Sequence, residues 1–149
     1  MIVTNMLGTV LIYFMFNDLK LVIFIGCVSL FLFSMLPTIY LLISYLRNNK
    51  NICVSFNTDD IVILSKKKKD IILVSNIKEI TFNGSKNIFE KHNIRFSTYD
   101  NFYYVKINMK DGEKFILTNL LSNNLREVIL NNYPDVKITY NYRLVPYID

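Results

Sequence analysis

General acid–base chemistry needs two titratable side chains that face one another, and this chain offers few that could. Asp59 and Asp60 are adjacent. An extended backbone sends such neighbours to opposite faces, and a turn uses them as caps. The one histidine, His92, sits in Glu90-Lys91-His92-Asn93, beside a lysine rather than among thiols. A metal centre needs several ligands together. Cys27 and Cys53 lie far apart with no C-x-x-C spacing, which points to two isolated thiols and not to a zinc site or a disulfide framework. Gly8, Gly26, Gly84 and Gly112 are too scattered to cradle a phosphate, and no nucleophile-elbow, dinucleotide or P-loop pattern occurs. These residues predict a protein that is not an enzyme, with no catalytic centre, metal or cofactor.

The chemistry that remains is binding. Lys66-Lys67-Lys68-Lys69 is the one charge cluster. Near an anionic membrane each lysine is worth about 1 kcal/mol, so the run is a candidate lipid-headgroup contact. The competing reading is a solvated hairpin turn whose lysines keep a strand edge soluble and unpaired. Lys78, Lys86, Lys91 and Arg95 add positive charge whose face the sequence does not define. Tyr140, Tyr142 and Tyr147 are candidate protein contacts, because tyrosine is enriched at interfaces. Their alternative is a closing strand packed on the core. Phe102-Tyr103-Tyr104 and Tyr140-Asn141-Tyr142-Arg143 bring aromatics close to basic residues, as nucleic-acid binders do. Strand alternation sends about half of those rings inward, and nucleic acid is not an expected partner.

The elements that must position these residues fall into two unlike parts. Residues 1–46 hold only two charges, Asp18 and Lys20, while the other 16 basic and 11 acidic side chains lie beyond them and carry the whole net charge of +5. An ordinary soluble domain spreads its charges throughout, and a disordered one lacks the Ile, Val, Leu, Phe and Tyr found here after residue 50. Leu21 to Leu46 is free of charge over 26 positions. As a helix it would extend about 39 Å, more than the ~30 Å hydrocarbon core. Pro37 inside it is tolerated by membrane helices, Tyr40 and Tyr45 suit an interface, and Arg47 and Lys50 stop the segment. Ile2 to Phe16 is a shorter uncharged stretch, about 22 Å as a helix. No basic residue precedes it and no small-residue cleavage site comes after it, which argues against a signal peptide. With the polar link Asn17-Asp18-Leu19-Lys20, the two stretches predict a transmembrane helical hairpin over 1–46 (about 2–16 and 21–46). A single spanning helix after an interfacial segment is the minority alternative. Basic residues after Leu46 place residues 47–149 in the cytoplasm. Abundant Asn, Ile and Lys without Ala, Gln or Trp suggest an AT-rich bacterial gene, and hence the bacterial inner membrane.

Residues 51–149 read as a small β-rich domain. Ile52–Phe56, Ile61–Leu64, Ile71–Val74 and Ile77–Phe82 are strand candidates, the last stopped by the turn dipeptide Asn83-Gly84. Asn93–Thr98 is another. Tyr103, Val105, Ile107 and Met109 alternate with polar residues up to Asp111-Gly112, and Glu113–Thr118 returns. Six or seven short strands predict a small antiparallel barrel or sandwich. A helix over about 122–132 comes next, with Ser122 as its N-cap and Tyr133-Pro134 as its stop. Val136–Tyr140 and Leu144–Tyr147 look extended.

In this order the chain resembles bacterial membrane proteins with a pleckstrin-homology-like (PH-like) domain: an α+β membrane protein whose bent antiparallel sheet is capped by a C-terminal helix. The resemblance rests on Phe56-Asn57-Thr58-Asp59-Asp60-Ile61-Val62-Ile63 as an opening hairpin, on Ile71 to Ile80 as a strand-turn segment, and on Phe115-Ile116-Leu117-Thr118 leading into the helix. Val74 and Ser75 stand where many members carry an aromatic. The resemblance implies a non-enzymatic membrane-anchored module for protein assembly or lipid-surface contact. Its partners would be the bilayer, anionic headgroups, and a second copy or another protein. The alternative is a small accessory or immunity-type membrane protein acting through its helices on a larger partner.

Overall fold

A computed structural model describes residues 19–66, 68–90 and 98–148. The first apolar stretch, the first half of the polar link, and His92, Lys91, Arg95 and nearly all of the strand expected at Asn93–Thr98 lie outside the described residues, as does Lys67. Thr98 itself opens a 3-10 turn.

The second apolar stretch is one long helix, Lys20–Asn49. It is α-helical over Leu19–Leu30 and Leu36–Asn49 and widens to a π turn at Phe31–Met35. Pro37 is the cause of the widening. Its ring collides with the carbonyl four residues back and it has no N–H to give. One turn of π-helix absorbs both, and the Leu36 N–H reaches back five residues to the Phe31 carbonyl. After Asn49 the chain reverses in a four-residue turn closed by Ile52 N–H on the Asn49 carbonyl at 3.0 Å. Asn51 takes φ +62°, the left-handed conformation that asparagine tolerates better than most residues.

The rest of the chain builds two open sheets. β1 (Cys53–Phe56), β2 (Asp60–Leu64) and β3 (Lys69–Leu73) form an antiparallel meander in the order β1-β2-β3. β4 (Ile77–Gly84), β5 (Tyr103–Met109), β6 (Lys114–Thr118) and β7 (Ile138–Tyr142) make the second sheet, in the order β6-β5-β4-β7. The expected barrel is thus two open sheets. The strand over 52–56, the Gly112 turn (φ +94°) and the 103–118 hairpin match the alternation of the sequence. Asn83-Gly84 is not a turn after the strand but its last two residues. β4 runs through Gly84 opposite Tyr103. A Cβ at Gly84 would lie 2.8 Å from the Tyr103 Cβ and 3.0 Å from the Phe89 ring. The glycine serves close approach, not a turn. The tail from Val136 becomes a strand, β7, which runs parallel to β4.

Inward residues of both sheets share one core: Ile61 and Ile63, Ile72, Ile80 and Phe82, Val105 and Ile107, and Leu117. The C-terminal helix (Leu125–Asn132) closes it with Leu125 and Ile129, both fully buried. That helix begins at Leu125, later than the expected 122. Asn124 is its N-cap, and the Ser122 hydroxyl instead accepts the Asn124 N–H at 3.3 Å, two residues too early to cap. Tyr133 ends the helix as expected. Its hydroxyl donates to the Asn57 carbonyl at 2.8 Å and lies 3.3 Å from that of Asp60, tying the helix to the β1–β2 turn.

A second cluster joins the long helix to the outer face of the four-stranded sheet. Leu41 and Tyr45, both 0% exposed, pack on Tyr99 and Tyr104, with Phe102, Ile116, Val145 and Ile148 around them. The Tyr45 hydroxyl donates to the Pro146 carbonyl at 2.8 Å, and its ring meets Phe102 and Tyr104 edge-on. Asn48 reaches the Ile116 carbonyl at 3.4 Å and Asn49 the Thr118 hydroxyl at 2.6 Å. Thr38 and Thr98 share a hydroxyl hydrogen bond at 2.6 Å. A division at residue 46 therefore cuts through one packed cluster.

Gly84→Ala should cost about 1–3 kcal/mol, read as a lower thermal midpoint, because strand β5 and Phe89 must move to admit the methyl. Burial, and then the Asp60 carboxylate, pushes the Tyr133 hydroxyl up to about 12 from 10.0. The native state thus keeps a proton that the unfolded chain releases. Its stabilising effect is complete below the unfolded value and disappears as pH rises through the folded one. Tyr133→Phe should cost about 1 kcal/mol near neutrality and flatten the loss of stability at alkaline pH, measured by unfolding at the two pH values.

Candidate functional site

The lysine run occupies the β2–β3 hairpin. Its turn is closed by local hydrogen bonds: Ser65 N–H to the Lys68 carbonyl at 2.8 Å, and Lys68 N–H to the Ser65 hydroxyl at 3.1 Å. Lys66, Lys68 and Lys69 are exposed. Lys68 pairs with Asp70 at 2.6 Å, and this hydrogen-bonded carboxylate holds the ammonium above its ordinary range. The geometry is that of a solvated hairpin tip. Leu64 pairs with Cys53, so the tip lies beside the start of β1, just past the end of the long helix.

The three tyrosines do not form one surface. Tyr140 stacks on Phe82 at 5.5 Å and touches Phe89 at 5.2 Å. The Arg126 guanidinium lies 5.6 Å from the centres of both the Phe89 and Tyr140 rings. Tyr142 reaches Phe89 only at 6.4 Å and is half exposed. Tyr147 packs edge-on against Tyr40 of the long helix at 5.3 Å. Tyr140 is therefore part of an aromatic cluster, Tyr142 lies half exposed at its edge, and Tyr147 belongs to the helix junction. On the opposite face β7 is held by side-chain pairs, Asn141 to Asn83 at 2.9 Å and Thr139 to Thr81 at 3.0 Å.

Two surfaces were not singled out by residue type. An open cleft of about 530 Å³ is lined by Asn101, Tyr103, Asn119, Asn124, Arg126 and Glu127 among others. Burial raises the Tyr103 hydroxyl, partly countered by the Arg126 N–H it accepts at 3.2 Å. Neutral amides dominate this cleft, and no nucleophile faces a base in it. The other is the outer face of the three-stranded sheet, where Leu64, Ile71 and Leu73 are exposed beside Cys53. The signal was present in the sequence: Ile61 to Leu64 and Ile71 to Leu73 are apolar at both parities, so one set had to face outward.

Asp59 and Asp60 lie at the β1–β2 turn. Asp59 accepts the Val74 N–H on its carbonyl, and Asp60 accepts an amide hydrogen bond from Asn57. Among the described residues no three His, Cys, Asp or Glu side chains gather as a metal site.

Tyr140→Ala should cost about 1–2 kcal/mol in thermal unfolding, since it removes ring stacking and one side of the arginine contact. Asp70→Asn should leave the thermal midpoint essentially unchanged, because the pair with Lys68 is exposed and screened by solvent.

No curated protein matches the chain. The family model described as PH domain matches residues 1–127, which takes in the long helix and both sheets up to the first residues of the C-terminal helix and leaves β7 outside. Two open sheets sharing a core closed by a C-terminal helix agree with that match, and the chain belongs to the PH domain family.

Proposed function

We propose that this protein is a non-enzymatic interaction module whose long helix anchors a PH domain in the membrane and presents it to the cytoplasm. One observation carries the reading. The long helix has a mean hydropathy of 2.3 over its best window, and only 6% of that window is buried inside the protein. A helix of this length in a soluble domain would hide such a face. Here Phe24, Phe31, Phe33 and Met35, among others, are exposed. Burying each in lipid is worth about 1.5–3 kcal/mol. Arg47 and Lys50 at the far end favour a cytoplasmic domain.

PH domains commonly bind lipids or proteins. The outer face of the three-stranded sheet, with Leu64, Ile71 and Leu73 exposed, supports protein assembly as the task of this one. Cys53 lies on that face opposite Leu64 and is a natural probe of self-association.

The anchor is tested by washing membranes at alkaline pH and high salt. Retention is expected, and release would overturn it. Orientation is tested with single cysteines at Asn17 and Asn123 in a Cys27→Ser, Cys53→Ser background, labelled in intact cells by an impermeant thiol reagent. Labelling at 17 and not at 123 is expected. Labelling at 123 would place the domain outside.

A further inference from the structure

The docking of the long helix decides which end of the domain meets the bilayer. This inference rests on the membrane reading above and goes beyond it. From Lys20 to Thr38 the helix rises about 27 Å, close to the ~30 Å hydrocarbon thickness, with Lys20 able to reach outward. The helix first meets the domain at its π turn, beside the Thr98–Asn101 turn, and its side-chain pairs run from Thr38 onward: Thr38 on Thr98, Tyr40 on Tyr147, Tyr45 on Pro146, Asn48 on Ile116, Asn49 on Thr118. These contacts are ordered along the helix. Thr98 and Tyr147 lie at the level where it would leave the hydrocarbon, while Thr118 and Ile116 lie about 16 Å further along its axis.

The lysine hairpin belongs to the far end. Leu64 at its base pairs with Cys53, which comes four residues after the helix ends at Asn49. That end lies about 16 Å beyond Thr38 along the helix axis. Exposed charges separated by more than about 8 Å are largely screened at physiological ionic strength. The near end instead carries two rings in the open, Tyr40 and Tyr147. Such amphipathic rings favour the headgroup level.

We propose that the domain rests on the headgroup layer through Tyr40, Thr98 and Tyr147, and that the hairpin bearing Lys66, Lys68 and Lys69 stands away from the bilayer. Tryptophan is absent from the chain, so single substitutions report depth without background. Phe33→Trp, Tyr40→Trp, Tyr147→Trp and Lys66→Trp proteins would be reconstituted in vesicles containing anionic lipid. Their fluorescence would be quenched by chain-brominated lipid, by a headgroup-level nitroxide lipid and by aqueous iodide. Phe33→Trp should lose most of its emission to brominated chains. Tyr40→Trp and Tyr147→Trp should lose theirs to the nitroxide, and Lys66→Trp to iodide alone. Strong nitroxide quenching of Lys66→Trp overturns the proposal, as does its absence at both 40 and 147 while Phe33→Trp is quenched. An unquenched Phe33→Trp would instead remove the membrane reading, and the proposal with it.

Discussion

Tyr45 is buried without remainder against a sheet that would otherwise face water on that side, and its hydroxyl is satisfied only because the C-terminal tail brings the Pro146 carbonyl to it. A tyrosine buried without a partner would carry an unsatisfied polar group into an apolar cluster. The contact therefore couples three parts of the chain distant in sequence: the helix near residue 45, the start of β5 near residue 104, and the tail near residue 146. The helix and domain become one body because of it. Four further side-chain contacts, from Thr38, Tyr40, Asn48 and Asn49, fix the rotation and register of the helix on the sheet. Packing alone would fix these poorly.

That coupling explains why β5 is buried on both faces. Val105 and Ile107 face the shared core, as alternation requires, while Tyr104 on the opposite face is 2% exposed because the helix lies on it. The remainder of the outer face is a polar ladder of Asn83, Asn141, Thr81, Thr139 and Asn108. The helix thus covers the apolar half of the face and leaves the half that can hydrogen-bond itself. β7 completes the arrangement. It pairs with β4, stacks Tyr140 on the core aromatics, and carries the chain on to the tail that receives Tyr45. It lies beyond the part of the chain that the PH domain family model matches, so the segment that clamps the helix is an addition to the matched region.

Nothing in the candidate surfaces brings a nucleophile to a base, and the polar residues serve turns, ladders and pairing instead. The molecule turns apolar surfaces outward: a helix face, the outer side of the first sheet, and the junction around Tyr40 and Tyr147. Surfaces of that kind suit association with lipid or protein, in keeping with a domain family of interaction modules.

Composition and periodicity by themselves determined a good deal. An uncharged run of 26 residues dictates a long apolar helix, alternation in 103–109 and the Asp111-Gly112 pair dictate a hairpin, and Tyr133-Pro134 stops the C-terminal helix. Those are local rules, settled by backbone geometry and the side chains nearest in sequence. The lysine run was legible as a cluster and as a hairpin tip for the same reason. Tertiary structure alone decided the rest. Gly84 reads as a turn residue until Tyr103 and Phe89 are brought against it. The tail reads as merely extended until β4 offers an edge, and an edge can accept a strand of either direction. Tyr140, Tyr142 and Tyr147 read as one patch until β7 and the helix send them to different neighbours. Which end of the domain lies beside residue 38 depends on contacts spanning 60 positions of sequence, through Thr38 and Thr98. No local pattern encodes a contact between groups so far apart, because the partner's position exists only once the intervening strands have paired.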